Sequence, residues 1–189
     1  MPTARRAVEM PNAFMKPRYW IVIGITLGLA EVATYFINPF HTASADLLTR
    51  FSGIHLYRQT SQSMLPSIPQ GGYFLASAWP YISRAPQVGD IVIFKYPPDP
   101  SVIYAKRIVA IGGQTLQIKN CVVIVDGQVL HEPYVERARA RKAGSCSADR
   151  VLVPENGYLV FGDNRDNSED SRYWGILPRD HIIGKVVWP

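Results

Sequence analysis

Two patterns of apolar residues divide the chain. Residues 20–37, WIVIGITLGLAEVATYFI, are apolar almost without interruption and carry one ionisable side chain, Glu31. Past Asp46 the apolar residues come in short runs: IHLYRQ (55–60), GYFLASAW (72–79), DIVIFKY (90–96), VIYAKRIVAI (102–111), TLQIK (115–119), CVVIV (121–125), YLVF (158–161) and IIGKVVW (182–188). Runs of this length, bounded by turn residues, predict strands and not helices. PPDP (97–100), Gly112-Gly113 and Gly71-Gly72 punctuate them. Asp126-Gly127, between CVVIV and QVL, predicts a hairpin with a two-residue turn. The pattern is that of a mainly β fold, a barrel-like all-β domain over residues 46–189. ERARARKAGSCSADR (136–150) has few apolar residues and reads as an exposed loop.

The long apolar stretch has the ~17–25 residues that a helix needs to cross a bilayer. It predicts a transmembrane helix over 20–37, with Trp20, Tyr35 and Phe36 at its ends as interface anchors. Charge sets its direction. The net charge is +5, of which +3 lies before Trp20, where Arg5, Arg6, Lys16 and Arg18 face Glu9 alone. Positive residues stay inside, so 1–19 is a cytoplasmic tail and the 46–189 domain lies outside the cytoplasm. The remaining +2 is too little for a nucleic-acid surface, and no nucleic-acid partner is expected. A buried core helix and a cleavable signal peptide are the alternatives, since Ala43-Ser44-Ala45 has the small-x-small form of a cleavage site. Export exposes Cys121 and Cys146 to a compartment where disulfides persist, so a bridge between them is expected, with two unrelated free thiols as the other reading.

Candidate chemistry concentrates in three stretches. GDNRDNSEDSRYWG (162–175) carries six charged side chains and two aromatics. As a calcium loop starting at Asp166 it fails, with Ser171 where a Gly is needed and Leu177 where a Glu is needed. Arg165 and Arg172 among its acids hold carboxylates ionised, the opposite of a glycosidase's raised general acid. A charge-paired structural element fits better. No G-x-S-x-G, H-E-x-x-H or phosphate loop is present, no Cys/His spacing suggests a metal, and His41, His55, His131 and His181 share no context. SQSMLPSI (61–68) offers a serine in a loop between strands, and YAKRIVAIGG (104–113) a lysine in an apolar strand. A lysine desolvated there loses basicity toward neutral pH and can serve as base for a serine hydroxyl.

In order, these stretches and GDIVIF (89–94) resemble the boxes of the bacterial type I signal peptidases, membrane-bound Ser-Lys serine endopeptidases, over residues 57–188. The resemblance implies that Ser63 is the nucleophile and Lys106 the general base. It implies that the Ser61 hydroxyl and Ser63 N–H form the oxyanion hole and that Ser168 hydrogen-bonds and orients the lysine. Asp170, Arg172 and Arg107 would then be a charged scaffold beneath the site. Met64, Tyr104, Ala105, Gln59 and Thr60 are expected to bind substrate. The charges of 162–175 are expected mostly to support the site, with turn-building or solvent exposure as the other reading for Asp163, Arg165, Asp166 and Glu169 and the favoured one for Glu169. The chain departs from the family at Gln62 (usually Gly), at Gln59-Thr60 (usually an apolar residue and Pro) and at Ala105 (usually a larger aliphatic), so the resemblance leaves open how strict the preference for small residues upstream of the cut is. A small insert at 119–155 stands in place of the family's extensive second subdomain. The implied protein sits in the bacterial inner membrane with its catalytic domain outside, works as a monomer without cofactor or metal, and cuts signal-peptide-bearing preproteins. A dedicated conjugative pilin-maturing peptidase and a membrane-anchored binding module with an inactive site remain open.

Overall fold

The computed structural model describes residues 17–135 and 146–188. The expected tail 1–19 lies almost wholly outside them, as does the centre of the 136–150 loop. The chain divides into two compact units, Met1–Ile37 and Asn38–Pro189.

In the first unit, α1 (Pro17–Ile37) forms over the long apolar stretch. Among the described residues no helix is long and apolar enough to cross a membrane, although six of the 21 side chains of α1 lie outside the described set.

The second unit is mainly β. Its strands are β1 (Ile54–Arg58), β2 (Tyr73–Ser77), β3 (Ile91–Tyr96), β4 (Asp99–Ile111), β5 (Thr115–Lys119), β6 (Val122–Val125), β7 (Gln128–Val129), β8 (Ala148–Leu152), β9 (Gly157–Phe161), β10 (Leu177–Pro178) and β11 (Ile182–Trp188). They pair antiparallel into a seven-stranded sheet, β1-β2-β11-β3-β4-β9-β10, and a four-stranded sheet, β7-β6-β5-β8. Neither sheet returns to its own first strand, so the expected barrel is corrected to two open sheets. The reason is visible in β4, 13 residues long, which pairs with β3 at one end and β9 at the other, with a bulge between Ile108 and Ala110. A bulge bends and twists a strand. Val109 and Ala110 thereby join a core with Leu116, Ile118, Val123 and Val125 of the second sheet, while Ile108 packs with Val92, Phe94 and Val160 of the first.

The hairpin forms where the Asp-Gly pair predicts it: Asp126 and Gly127 take φ of 50° and 82°, the two positive values that a primed turn requires. The strand β8 was not expected, because it begins inside the polar 136–150 stretch; it is an exposed strand at the sheet's edge, and apolar alternation gives such a strand no signal. Three short helices were also not expected: α2 (Leu47–Ser52), α3 (Pro80–Ser83) and α4 (Ser171–Trp174). Asp46 caps α2 by accepting from Thr49 N–H at 2.7 Å, and Gly53 closes it at φ 68°.

Cys121 and Cys146 are joined by a disulfide, and Cys121 N–H donates to Cys146 O at 2.9 Å. The bridge ties the hairpin to the start of the β8 strand. On a chain-entropy account, closing a loop of this length stabilises by ~3 kcal/mol. The non-reduced protein should therefore take up no thiol-alkylating reagent in mass spectrometry, and Cys121→Ser with Cys146→Ser should lower the unfolding free energy by about that amount in denaturant titration. Two alkylatable thiols in the non-reduced protein would contradict the bridge.

Candidate active site

The loop from Gln59 to Gly72 connects β1 to β2 and carries Ser61 and Ser63. Its ends are pinned together, Gln59 N–H donating to Gly72 O at 2.8 Å and Gly71 N–H to Gln59 O at 2.7 Å. Across from it, the 162–175 stretch supplies a second clamp. Asn164 N–H donates to Ser63 O at 3.0 Å, and the Asn164 amide donates to Gln62 O at 3.1 Å. Gly162 makes this approach feasible, since a Cβ at that position would lie 2.6 Å from the Ser63 carbonyl oxygen and against the Ser168 side chain.

Lys106 sits in the middle of β4, in register with Val92 on β3, and is 3% exposed. Its Nζ lies 2.8 Å from Ser63 Oγ and 5.0 Å from the Tyr104 ring centroid. Burial pulls the lysine down to about 8, while the nearby charges of Asp170 and Glu169 push it back up and that of Arg172 adds to the lowering. At pH 7 about a tenth of the amine is thus uncharged, and about half of it near pH 8. Ser61 Oγ is 3.0 Å from Ser63 Oγ and accepts from Ser63 N–H at 3.4 Å. An uncharged amine on a serine hydroxyl, with a second hydroxyl and a backbone N–H beside it, can do nucleophilic acyl transfer.

The charged residues form pairs beneath these groups. Arg107, next to Lys106 on the strand, grips Asp163 with two hydrogen bonds, 2.9 and 2.7 Å. Arg172 grips Asp170 with two at 2.8 Å, and Asp170 also accepts from Gly162 N–H at 2.9 Å. Arg165 pairs with Glu132 and donates to Gly162 O at 3.0 Å. Of the two readings open for Asp163 and Arg165, the structure favours the supporting one: both are buried in ion pairs, with Asp163 1% exposed. Glu132 escaped the sequence reading altogether. It lies in HEPY, some thirty positions from its partner, and no local pattern links the two.

A cleft of about 840 Å³ opens above the dyad, lined among others by Gln59, Thr60, Tyr104, Ala105 and Glu169. Met64 does not reach it: the side chain has no accessible surface and packs in the core with Ile68, Ile93 and Ala105, so its expected contact with substrate is corrected. Ser168 lines the cleft, but its Oγ is buried without a hydrogen-bond partner among the described residues. The expected Ser168–Lys106 hydrogen bond is not made here, since the lysine is turned onto Ser63 and the serine packs against Gly162. Glu169 is exposed, as expected, yet it accepts from Tyr96 OH at 2.7 Å and Tyr104 OH at 3.2 Å, and the two tyrosine rings stack at 4.6 Å. It fixes one rim of the cleft.

A protein-family profile described as "Signal peptidase, peptidase S26" matches residues 29–189. The probable signal peptidase I-1 of Synechocystis sp. is 37% identical over 150 residues, covering 75% of this chain and 74% of that protein. The signal peptidase I of Leptolyngbya laminosa is 33% identical over 199 residues, covering 100% of this chain and 88% of that protein. The crystal structure of a signal peptidase I from Enterococcus faecalis V583 is 28% identical, with a TM-score of 0.47, and covers 55% of this chain and 98% of that one. The profile match and the two curated relatives establish that the chain belongs to the signal peptidase family, peptidase S26, and is a serine endopeptidase.

Proposed function

We propose that the chain removes N-terminal signal peptides from exported preproteins by a Ser-Lys mechanism, anchored in the bacterial inner membrane by α1 with its catalytic unit outside the cytoplasm. One observation carries the chemistry: a buried Lys106 amine 2.8 Å from Ser63 Oγ. The uncharged amine takes the proton of the Ser63 hydroxyl as Oγ attacks the scissile carbonyl. The carbonyl oxygen takes up negative charge and accepts from Ser63 N–H and the Ser61 hydroxyl. Lys106, now protonated, passes its proton to the leaving amine, and a water then hydrolyses the acyl-enzyme by the same steps. Asp170, Arg172 and Arg107 position the base through ion pairs that hold the loop and strand carrying the dyad, and Ser168 supports it by packing against Gly162, with its Oγ left for the lysine once the Lys106–Ser63 contact is given up in the reaction. Gln59, Thr60, Tyr104 and Ala105 form walls against the substrate segment upstream of the cut.

The anchor rests on composition, one ionisable residue in the eighteen of 20–37 with cations before it. The partners that follow are signal-peptide-bearing preproteins and the lipid bilayer, with the enzyme acting as a monomer.

Ser63→Ala should fold and leave no cleavage of a model preprotein, because the attacking oxygen is gone. Cleavage near the parent rate by the purified variant would refute the assignment.

The pH–rate profile should rise through one ionisation near 8, the value to which burial brings Lys106, and fall toward mild acid, where the protonated amine cannot accept the serine proton. Lys106→Arg, which stays charged, should be as inactive as Lys106→Ala. A flat profile from mild acid to alkali, or an active Lys106→Arg, would exclude the lysine as base.

Glu169→Gln removes a negative charge that favours the protonated lysine. The rising limb should move to lower pH with the alkaline plateau preserved, as read from the same profile. A shift to higher pH would reverse the sign assigned to Glu169.

A further inference from the structure

Besides its place in the cleft wall, Gln59 carries a buried carboxamide to which the Ser-Lys chemistry itself gives no role. It is 6% exposed, and its backbone is held on both sides by the Gly71-Gly72 turn. Its carboxamide nitrogen reaches Ser61 twice, lying 3.0 Å from Oγ and 3.2 Å from the carbonyl oxygen. A carbonyl oxygen only accepts, so the amide atom against it is the nitrogen, and chemistry settles which way the amide points. Gln59 therefore donates to Ser61 Oγ.

That donation gives the whole site one direction. Gln59 Nε2–H points to Ser61 Oγ, and the Ser61 hydrogen is free to point to Ser63 Oγ at 3.0 Å. The Ser63 hydrogen in turn points to the lone pair of the uncharged Lys106 Nζ at 2.8 Å. Ser63 N–H, 3.4 Å from Ser61 Oγ, takes up the other acceptor side of that hydroxyl in the free enzyme. With both lone pairs occupied by donors, Ser61 can only donate onward, and hydrogen bonds aligned in this way reinforce one another.

We propose that Gln59 is a positioning residue for the oxyanion hole: its carboxamide holds Ser61 Oγ as an acceptor, so that the Ser61 hydrogen is kept for the reacting centre. The inference rests on the Ser-Lys reading above. As Ser63 Oγ bonds to the scissile carbonyl carbon, its proton moves to Lys106 Nζ and the carbonyl π pair moves onto oxygen. Ser63 N–H and the Ser61 hydrogen then turn to that oxygen, while the Gln59 contact persists as the pivot. A carboxamide is suited to this because its nitrogen can only donate. An apolar residue at position 59 would leave the Ser61 hydroxyl free to rotate, and a carboxylate there would draw the Ser61 hydrogen away from the substrate.

The test compares the detergent-solubilised full chain with Gln59→Leu, Gln59→Glu, Ser61→Ala and the corresponding double variants, using a fluorogenic signal-peptide substrate and Ser63→Ala as the inactive reference. Gln59→Leu should lower kcat on the order of tenfold, the scale of one neutral hydrogen bond, over and above any change in KM from the altered cleft wall. Gln59→Glu, of the same shape, should lose at least as much. In the Ser61→Ala background neither substitution should lower kcat further, because the two side chains act through one hydroxyl. A role confined to lining the pocket would move KM and leave kcat alone, and a general packing role would cost the same with or without Ser61; either result overturns the proposal. Gln59→Glu keeps the test decisive if Gln59→Leu does not fold. An active Ser63→Ala would remove the Ser-Lys reading itself, whereas an inactive Ser63→Ala beside fully active Gln59 variants would remove only the role of Gln59.

Discussion

The contact on which the rest of the site depends is the one between the Lys106 amine and Ser63 Oγ, 2.8 Å apart and away from water. A lysine in solution is a poor base at neutral pH because it is already protonated. Burial in the middle of β4 lowers it to about 8, a change worth roughly 3 kcal/mol between its two protonation states. That energy comes from the fold, which must hold a desolvated amine in place without letting it reach solvent. The central position of β4 does so, with β3 on one side, β9 on the other, and Val92 opposite the lysine in the ladder.

Holding the lysine is half of the requirement, because the serine lies on a loop. Arg107 solves both parts from one backbone position. It follows Lys106 in β4, and its Asp163 partner precedes Asn164, whose N–H grips the Ser63 carbonyl. Strand and loop are thus joined by a two-residue path on each side of the dyad. The Asp170–Arg172 and Glu132–Arg165 pairs converge on Gly162, the first at its N–H and the second at its carbonyl. Removing one partner of such a buried pair costs ~3–5 kcal/mol, because the other charge is left behind. The density of charge in 162–175 is therefore that of a fastening and not of a reactive cluster: of its six charged side chains, Asp166 and Glu169 line the cleft and the other four do not.

Much of this was legible in the sequence, for reasons that differ by element. The strands β3, β4, β9 and β11 are apolar on both faces or alternate cleanly, and the Asp126-Gly127 turn announces its hairpin. Ser63 and Lys106 stand in short stretches whose order along the chain marks them. What was not legible depends on three-dimensional partners. The edge strand β8 buries almost nothing, so no periodicity reveals it. The division into two open sheets depends on the bulge in β4, which a run of apolar residues does not disclose. Met64 sits one residue from the nucleophile, yet the turn of the chain sends it inward to the core. Glu132 has meaning only through Arg165, and Glu169, exposed as its charge suggests, acquires one through two tyrosines that lie far away along the chain.

The departures from the family pattern acquire different meanings once they are placed. Gln62 stays out of the cleft wall; its carbonyl and side-chain oxygens accept from Asn164 and Asn167, so it reinforces the clamp on the loop. Ala105 and Ile93 leave an apolar surface beside the dyad, and the short Ala105 side chain leaves more room there than a larger aliphatic would. Gln59 is the one departure that reaches the reacting groups. An apolar neighbour at that position would shape the substrate subsite but could not orient a hydroxyl. The polar one accepts the cost of a buried amide, and that cost is offset by two hydrogen bonds to Ser61. The same exchange that weakens an argument for strict small-residue selection thus strengthens the case for a stiffer oxyanion hole, so specificity and rate in this chain are tied to a single side chain.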